Sequence, residues 1–394
     1  MWKNQVALII DIRSDSVGGA LVEPRANVKT ETNCPKVLEV SRHRLEFRAE
    51  LNRERFFADL MTAFKLILAD FGAAAKPRPD SVVVFLSAPF YASQTRTIKQ
   101  TRPAPVKVTR RLISDLAAAD SRQFQSQTPP LFREILHDAH ELIEHKIMAV
   151  KLNRYETHRP FGQSASEIEF SHYLSLSSKK VLERFRELVA AGRPHRPIVF
   201  HTFPFALYAV CRDVFNSDNV LLLDLGGEVT EISLIAHNIL WETVSFPLGS
   251  NFLIRFLAED FKTVPEEALS ALRIYQRGSH NKLASERMTG ALARAGGEWL
   301  KQFKTALAAL TETHLGPDEI LAVGDQTITP VMIEWIKGAS YENLLMTQKG
   351  LRASFLSAAR LREHCADLGS GPFNDLHLLL EMTFYDKLLR LKDE

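Results

Sequence analysis

The stretch Val220-Leu221-Leu222-Leu223-Asp224-Leu225-Gly226-Gly227 decides the fold. An aliphatic run without polar alternation reads as a strand buried on both faces. The aspartate and paired glycines at its end read as a turn. Glu231 to Ile235 and Leu240 to Phe246 continue it as two more strands, so the unit is a meander. The opening of the chain repeats the plan: an apolar run from Val6 to Ile12 containing Asp11, a short polar turn, then Ala20-Leu21-Val22. Two strand–Asp–turn–strand units so far apart indicate internal duplication. Ile320 to Val323, running into Gly324-Asp325, reads as a final core strand.

Around these blocks the helical period sets in. Apolar residues from Phe56 to Phe71 recur at helical spacing after a charged stretch, Arg42 to Arg55. Asn251 to Glu259, Pro265 to Tyr275, Lys282 to Thr311 and Pro330 to Ile336 read as further helices. Val82 to Leu86 is another buried strand. Between it and the second block the chain changes character. Tyr91 to Arg111 carries Arg96, Lys99, Arg102, Lys107, Arg110 and Arg111 with no acidic residue, and Gln123 to Pro130 reads as a mobile loop. Leu131 to Glu144 reads as a helix, Ile147 to Leu152 and Ile168 to Leu176 as strands, and Ser177 to Ala190 as a helix capped by serine. This stretch reads as an inserted α+β subdomain. The expected organisation is residues 1–87 for the first lobe, 88–195 for the insertion, 196–368 for the second lobe and 369–394 for a C-terminal amphipathic helix.

Composition excludes other classes. Of 394 residues, 49 are Lys or Arg and 47 are Asp or Glu, so a net charge of +2 offers no field for nucleic acid. With 45% hydrophobic and 24% charged residues the chain is neither disordered nor an integral membrane protein. The cysteines Cys34, Cys211 and Cys365 are too scattered for a disulfide framework, which places the chain in a reducing compartment, the cytoplasm.

An aspartate that ends a strand beside a turn of Gly, Ser and Thr has a chemical use. Backbone N–H groups of the turn can cradle phosphate oxygens, and the carboxylate can hold a hydrated Mg²⁺. Two such turns facing across a cleft clamp one polyphosphate, and a third strand–Gly turn receives the nucleoside. Here the residues resemble the actin-like ATPase superfamily. Asp11-Ile12-Arg13-Ser14-Asp15-Ser16-Val17 looks like its first phosphate loop, Asp224-Leu225-Gly226-Gly227-Glu228-Val229-Thr230-Glu231 its second, and Ile320 to Asp325 its adenosine motif. Within it the chain most resembles the bacterial cell-division protein FtsA, then the pilus-assembly protein PilM, on Leu152 to Glu156, Pro160 to Gly162 and Ser245 to Asn251.

The resemblance implies an α/β, actin-like, two-lobed fold. It implies ATP and Mg²⁺ as ligands. Asp11 and Asp224 are the metal carboxylates, and Arg13, Ser14, Ser16, Gly226, Gly227, Thr230, Gly249, Gly324 and Asp325 line the nucleotide. It further implies a cytoplasmic scaffold of division or envelope assembly, in contact with other assembly proteins or copies of itself and at most a weak ATPase. Peripheral membrane contact is not favoured. A pilus-type platform, a nucleotide-free pseudo-ATPase and a small-molecule kinase of the same fold are the rivals. The departures are specific: Arg13 stands where the family has glycine, Glu228 replaces the third glycine of the second loop, and Gly324 stands alone before Asp325. Taken singly, Arg13 and Glu228 read as solvated surface residues.

Two further features have plain readings. His137, His140 and His145, with Glu141 and Glu144, suggest a solvated helix face more than a metal site. The C-terminal stripe of Leu376, Leu379, Leu380, Phe384, Leu388 and Leu391 has a polar face of mixed charge, so it is expected to pack on its own lobe rather than on a membrane.

Overall fold

The computed structural model describes residues 6–23, 35–48, 52–72, 77–126, 139–192, 196–215, 217–278, 281–312, 316–341, 344–345, 350–363 and 374–391. Its frame is two five-stranded sheets of one topology. The first is built from β1 (Ala7–Ile12), β2 (Ser16–Glu23), β3 (Lys36–Arg44), β4 (Ser81–Leu86) and β9 (Ile198–Thr202), in the order β3-β2-β1-β4-β9. The second uses β10 (Val220–Leu225), β11 (Thr230–Ala236), β12 (Ile239–Phe246), β13 (Glu319–Gly324) and β14 (Arg352–Phe355), in the order β12-β11-β10-β13-β14. In both, the leading strand pairs antiparallel with its hairpin partner and parallel with the strand on its other side. Asp11 lies opposite Gly18 and Phe85, and Asp224 opposite Glu231 and Val323. The duplication is therefore one of topology and register.

The unalternating strands are buried on both faces because each sheet is covered twice. Ala7 and Ile9 of β1, and Val220 and Leu222 of β10, face one shared core; Leu8 and Ile10, and Leu221 and Leu223, face the outside layers. The shared core holds α4 (Phe203–Phe215) and α10 (Leu376–Leu391), which lie between the two sheets. Outside the first sheet pack α1 (Arg53–Asp70) and α3 (Lys179–Gly192). Outside the second pack α5 (Ser250–Phe261), α6 (Pro265–Gln276), α7 (Lys282–Leu310) and α8 (Thr329–Lys337). Both apolar rows of α10 are used: Leu378, Leu379, Leu380, Met382 and Phe384 are buried.

A third sheet, ordered β5-β8-β6-β7, comprises β5 (Tyr91–Lys107), β6 (His140–Leu152), β7 (Tyr155–Glu156) and β8 (Ser164–Ser178). Its own small core is closed by Ile113 and Ala117 of α2 (Arg110–Ser126) against Val150, Ile168 and Phe170. The start of β5 also touches the second sheet, where Tyr91 donates its hydroxyl proton to Glu231 and Thr95 bonds the Leu240 carbonyl.

Several sequence expectations are corrected. The charged stretch from Arg42 begins inside β3, an edge strand. The basic run before Arg111 is mostly β5, where Arg96 pairs with Asp120 and Lys99 with Glu167. The helix expected over Leu131 to Glu144 is strand β6 from His140 onward, and residues 131–138, with His137, lie outside the described residues. His140 and Glu144 thus sit on a strand, not on a helix face. Gln123 to Ser126 belong to α2 rather than to a loop, and the remainder of that expected loop lies outside the described residues. The strand β9 and helix α4 fill a stretch for which no element was expected, and β14 follows β13, so Ile320 to Val323 is not the last strand. Cys34 and Cys365 lie outside the described residues, and Cys211 is a buried free thiol. Among the described residues no helix is long and apolar enough to cross a membrane.

Candidate functional site in the interlobe cleft

Both strand-ending aspartates point into the cleft between the lobes, and each meets a guanidinium. The turn after β1 is closed by the Arg13 amide on the Ser16 carbonyl at 3.0 Å. This aims the Arg13 side chain across the cleft at Asp224, with Nη2 at 2.9 Å from Oδ1 and Nη1 at 3.3 Å from Oδ2. Arg13 is 4% exposed, so the reading of it as a solvated residue is overturned. His377 Nε2 of α10 donates to the same carboxylate at 3.2 Å. Burial pushes the Asp224 carboxyl up, but the charge of Arg13 and the His377 hydrogen bond prevail and hold it at about 2.

The second guanidinium comes from β3. Arg42 Nη2 lies 2.6 Å from Asp11 Oδ2, Nη1 lies 2.9 Å from Ser16 Oγ, and Nε lies 2.5 Å from Asp375 Oδ2. Gly18 makes this reach feasible. A Cβ on Gly18 would stand 2.5 Å from Arg42 Nη2. Glu381 of α10 completes the cluster. It is fully buried, and neither of its oxygens has a donor among the described residues. Burial, then the neighbouring charge of Asp11, pushes its pKa well above the carboxylate range. Glu381 is therefore a neutral acid that can donate to Asp11, whose Oδ1 has no other partner there.

The two turns are also in contact with each other. Ser14 Oγ accepts from the Glu228 amide at 3.0 Å, and a Cβ on Gly227 would come 2.1 Å from the Asp15 Cβ. Gly249 is equally confined, because a Cβ there would meet the Gly227 carbonyl oxygen at 2.3 Å. The first amides of α5, from Ser250 and Asn251, donate to the carbonyls of Gly226 and Gly227, each at 2.8 Å. Glu228 is buried too, against the expectation of a solvated residue. Arg255 and Asn251 bind its carboxylate at 2.5 and 2.7 Å. Thr230 turns away from the cleft and donates to the Leu248 carbonyl beside Trp299. Gly324, at φ +157, and Asp325 line the far end, where Asp325 Oδ1 accepts from the amides of Thr327 and Ile328 in the turn that leads into α8.

These residues do not fit a polyphosphate with Mg²⁺. The carboxylates a metal would need already hold arginines, the amides of Arg13, Gly226 and Glu228 already have protein acceptors, and the loops touch. Beside them remains a pocket of about 80 Å³, lined by Ser14, Asp15, Glu228 and Asn251, with room for a few waters at roughly 30 Å³ each. The structure thus brings Asp11, Arg13, Ser14, Ser16, Asp224, Gly226, Gly227 and Gly249 together, leaves Thr230 behind the sheet, and sets Gly324 with Asp325 across a cavity of about 410 Å³ whose wall they share with Arg13 and Ser16. Among the described residues there is also no cluster of three or more His, Cys, Asp or Glu arranged for a metal.

Sequence reasoning missed Arg42, Arg255, His377 and Glu381. Arg42 lay in a run read only as charged, although Val37, Leu38 and Val40 before it are strand formers. Glu381 carried a signal: an acid which, like Asp386, lies within the apolar rows of an otherwise buried helix.

No family model matches the chain, and no curated protein matches it. Solved structures do. A chain of the PilM–PilN type IV pilus biogenesis complex is 16% identical over 98% of each chain, with a TM-score of 0.58. The ethanolamine utilization protein EutJ from Carboxydothermus hydrogenoformans is 12% identical, over 93% of this chain and 89% of its own, at 0.43. A Bacteroides thetaiotaomicron protein with an actin-like ATPase fold and unknown function is 9% identical, over 97% and 96%, at 0.39. The fold of this chain is the actin-like ATPase fold.

Proposed function

We propose that this chain is an actin-like scaffold in the assembly of a cell-envelope machine of the type IV pilus kind, working through protein contacts and without turning over ATP. The observation that carries the second half is the bidentate Arg13–Asp224 pair, which joins the lobes where a metal nucleotide would otherwise join them. A guanidinium fixed there supplies the positive charge internally, so closure needs no ligand. The pilus setting is supported by the end-to-end likeness to the PilM–PilN chain. The division-scaffold reading shares this fold and cleft and rests on sequence resemblance alone. A kinase reading is disfavoured because the loops that would orient a transferable phosphate touch each other.

The test is calorimetry with ATP and Mg²⁺, paired with a phosphate-release assay. No heat of binding and no release are expected from the unchanged protein. Saturable binding that Asp224→Ala abolishes would overturn the reading. A gain of binding in the Arg13→Gly, Glu228→Gly double variant would show that these two side chains are what exclude the nucleotide.

A further inference from the structure

The end of the inserted sheet where β5 runs into α2 and β6 turns into β7 carries a surface that the cleft does not use. Asn153 and Arg154, both at positive φ, form the two-residue turn between β6 and β7, and Leu152 pairs with Tyr155 across it. The Asn153 side chain accepts from the amides of Ser166 and Glu167 at 3.0 and 3.1 Å, which fixes the turn to β8. The loop that follows is fixed as well. Gly162 donates to the Val108 carbonyl and Val108 to the Gln163 carbonyl, each at 2.8 Å. Phe161 therefore lies against the start of α2, with the Arg110 guanidinium 4.9 Å from the centre of its ring. Two rings are thus held at one end of the sheet: Tyr155 is 80% exposed and Phe161 44%.

The charge around them is one-sided. Lys107, Arg110 and Arg159 are exposed and have no ion-pair partner among the described residues. Arg111 and Arg154, also exposed, have only loose pairs at 3.7 Å, with Asp115 and Glu167. Glu167 is shared with Lys99 at 2.9 Å. Glu156 is the one carboxylate of the turn and loop from 152 to 163. The placement of Arg110 and Arg111 also runs against local stability. The first turn of α2 holds two cations and no acid, where the helix dipole favours the reverse. What this costs the helix strengthens the positive field of the tip.

We infer that this tip docks on an anionic phospholipid surface, with Tyr155 and Phe161 at headgroup level and the arginines and Lys107 on lipid phosphates. Aromatic rings beside basic side chains settle at that depth. Each basic residue near an anionic leaflet gains about fivefold in affinity. Both rings stand on turns at the sheet end. A protein partner would need hollows to receive them, whereas a bilayer surface needs no matching shape. The tip is separate from α10, which is buried in the shared core.

The experiment sediments the full chain with vesicles of phosphatidylcholine alone or mixed with phosphatidylglycerol. Binding is expected to the mixed vesicles only, and added salt should reverse it. Arg110→Gln combined with Arg159→Gln should weaken it about 25-fold. Tyr155→Ser should weaken it several-fold. Circular dichroism checks that each variant folds, and all three positions are exposed. No binding to the anionic vesicles, equal binding to phosphatidylcholine alone, or equal binding by the variants would each overturn the inference. Capture by soluble polyglutamate without vesicle binding would also overturn it and assign the tip to an acidic protein. The scaffold reading fails on different grounds, namely Mg²⁺–ATP binding that depends on Asp224.

Discussion

Asp11 and Glu381, separated by almost the whole chain, place their carboxyl groups in one buried site, where the charge of Asp11 acts on Glu381. Burial and the adjacent charge keep Glu381 protonated. Glu231, buried beneath Tyr91, is likewise pushed up, to about 8. In the unfolded chain both titrate near 4.3. Above that value the native state keeps protons the unfolded state has released, so stability falls as pH rises toward 8. At the acid end the sign reverses. Asp224, held at about 2, contributes stability that is present above roughly pH 4 and lost as pH falls through 2. Urea unfolding from pH 5 to 8 should show the decline, and Glu231→Gln or Glu381→Gln should flatten it. A slope unchanged in both variants would contradict the protonated assignments.

Gly18→Ala should destabilise the protein by about 1–3 kcal/mol, the usual cost of overpacking. The added methyl meets the Arg42 guanidinium, which two carboxylates pin. Combined with Arg42→Ala, the cost should be less than the sum of the single costs, because the clash partner is gone. Additive denaturation midpoints would show that Gly18 matters for another reason.

Arg13→Ala leaves the buried Asp224 without its main counter-charge. A loss of about 3–5 kcal/mol is expected. Replacing both residues by apolar ones, as in Arg13→Met with Asp224→Leu, should recover most of it. Chemical denaturation of the set decides the matter, and a double variant as weak as Arg13→Ala would argue against a paired role.

Removal of residues 370–394 takes α10 out of the shared core. Each large apolar side chain there contributes about 1.5–3 kcal/mol. The shortened protein should aggregate or melt far earlier. An unchanged melting temperature together with lost liposome binding would instead make α10 a membrane anchor.

Reversing Arg102, Lys107 and Arg110 to Glu should leave the melting temperature nearly unchanged, since Lys107 and Arg110 are exposed and, among the described residues, Arg102 hydrogen-bonds only Gln100. Sedimentation then reports whether copies associate through this edge: weaker association is expected, and identical sedimentation would exclude it.

The duplicated lobes were legible because unalternating Val, Leu and Ile runs ending in aspartate have few other uses. Helices α1 and α5 to α8 followed from period and from breakers such as Pro265. What stayed hidden was non-local. The 37–44 stretch alternates poorly because it is an edge strand, half wet on both faces, so β3 and its Arg42 gave a weak signal. In α4 every residue from Phe203 to Cys211 is buried, which erases any amphipathic period. At the site, the three departures Arg13, Glu228 and the lone Gly324 could be read from the chain. That Arg13 meets Asp224 and Glu228 meets Arg255 could not, because both contacts depend on how the lobes close.

The core between the two sheets has a consequence for synthesis. It joins Ala7 and Ile9 to Phe384 and Leu389. At about 5–20 residues per second, a ribosome needs on the order of 20–80 s to make the stretch between them. Throughout that interval the inward faces of both sheets, and the apolar helix α4, have no final covering. A nascent chain of this protein must therefore be shielded for that whole time, and mutations or conditions that slow elongation near residue 376 should show themselves first as insolubility, before any effect on the finished protein.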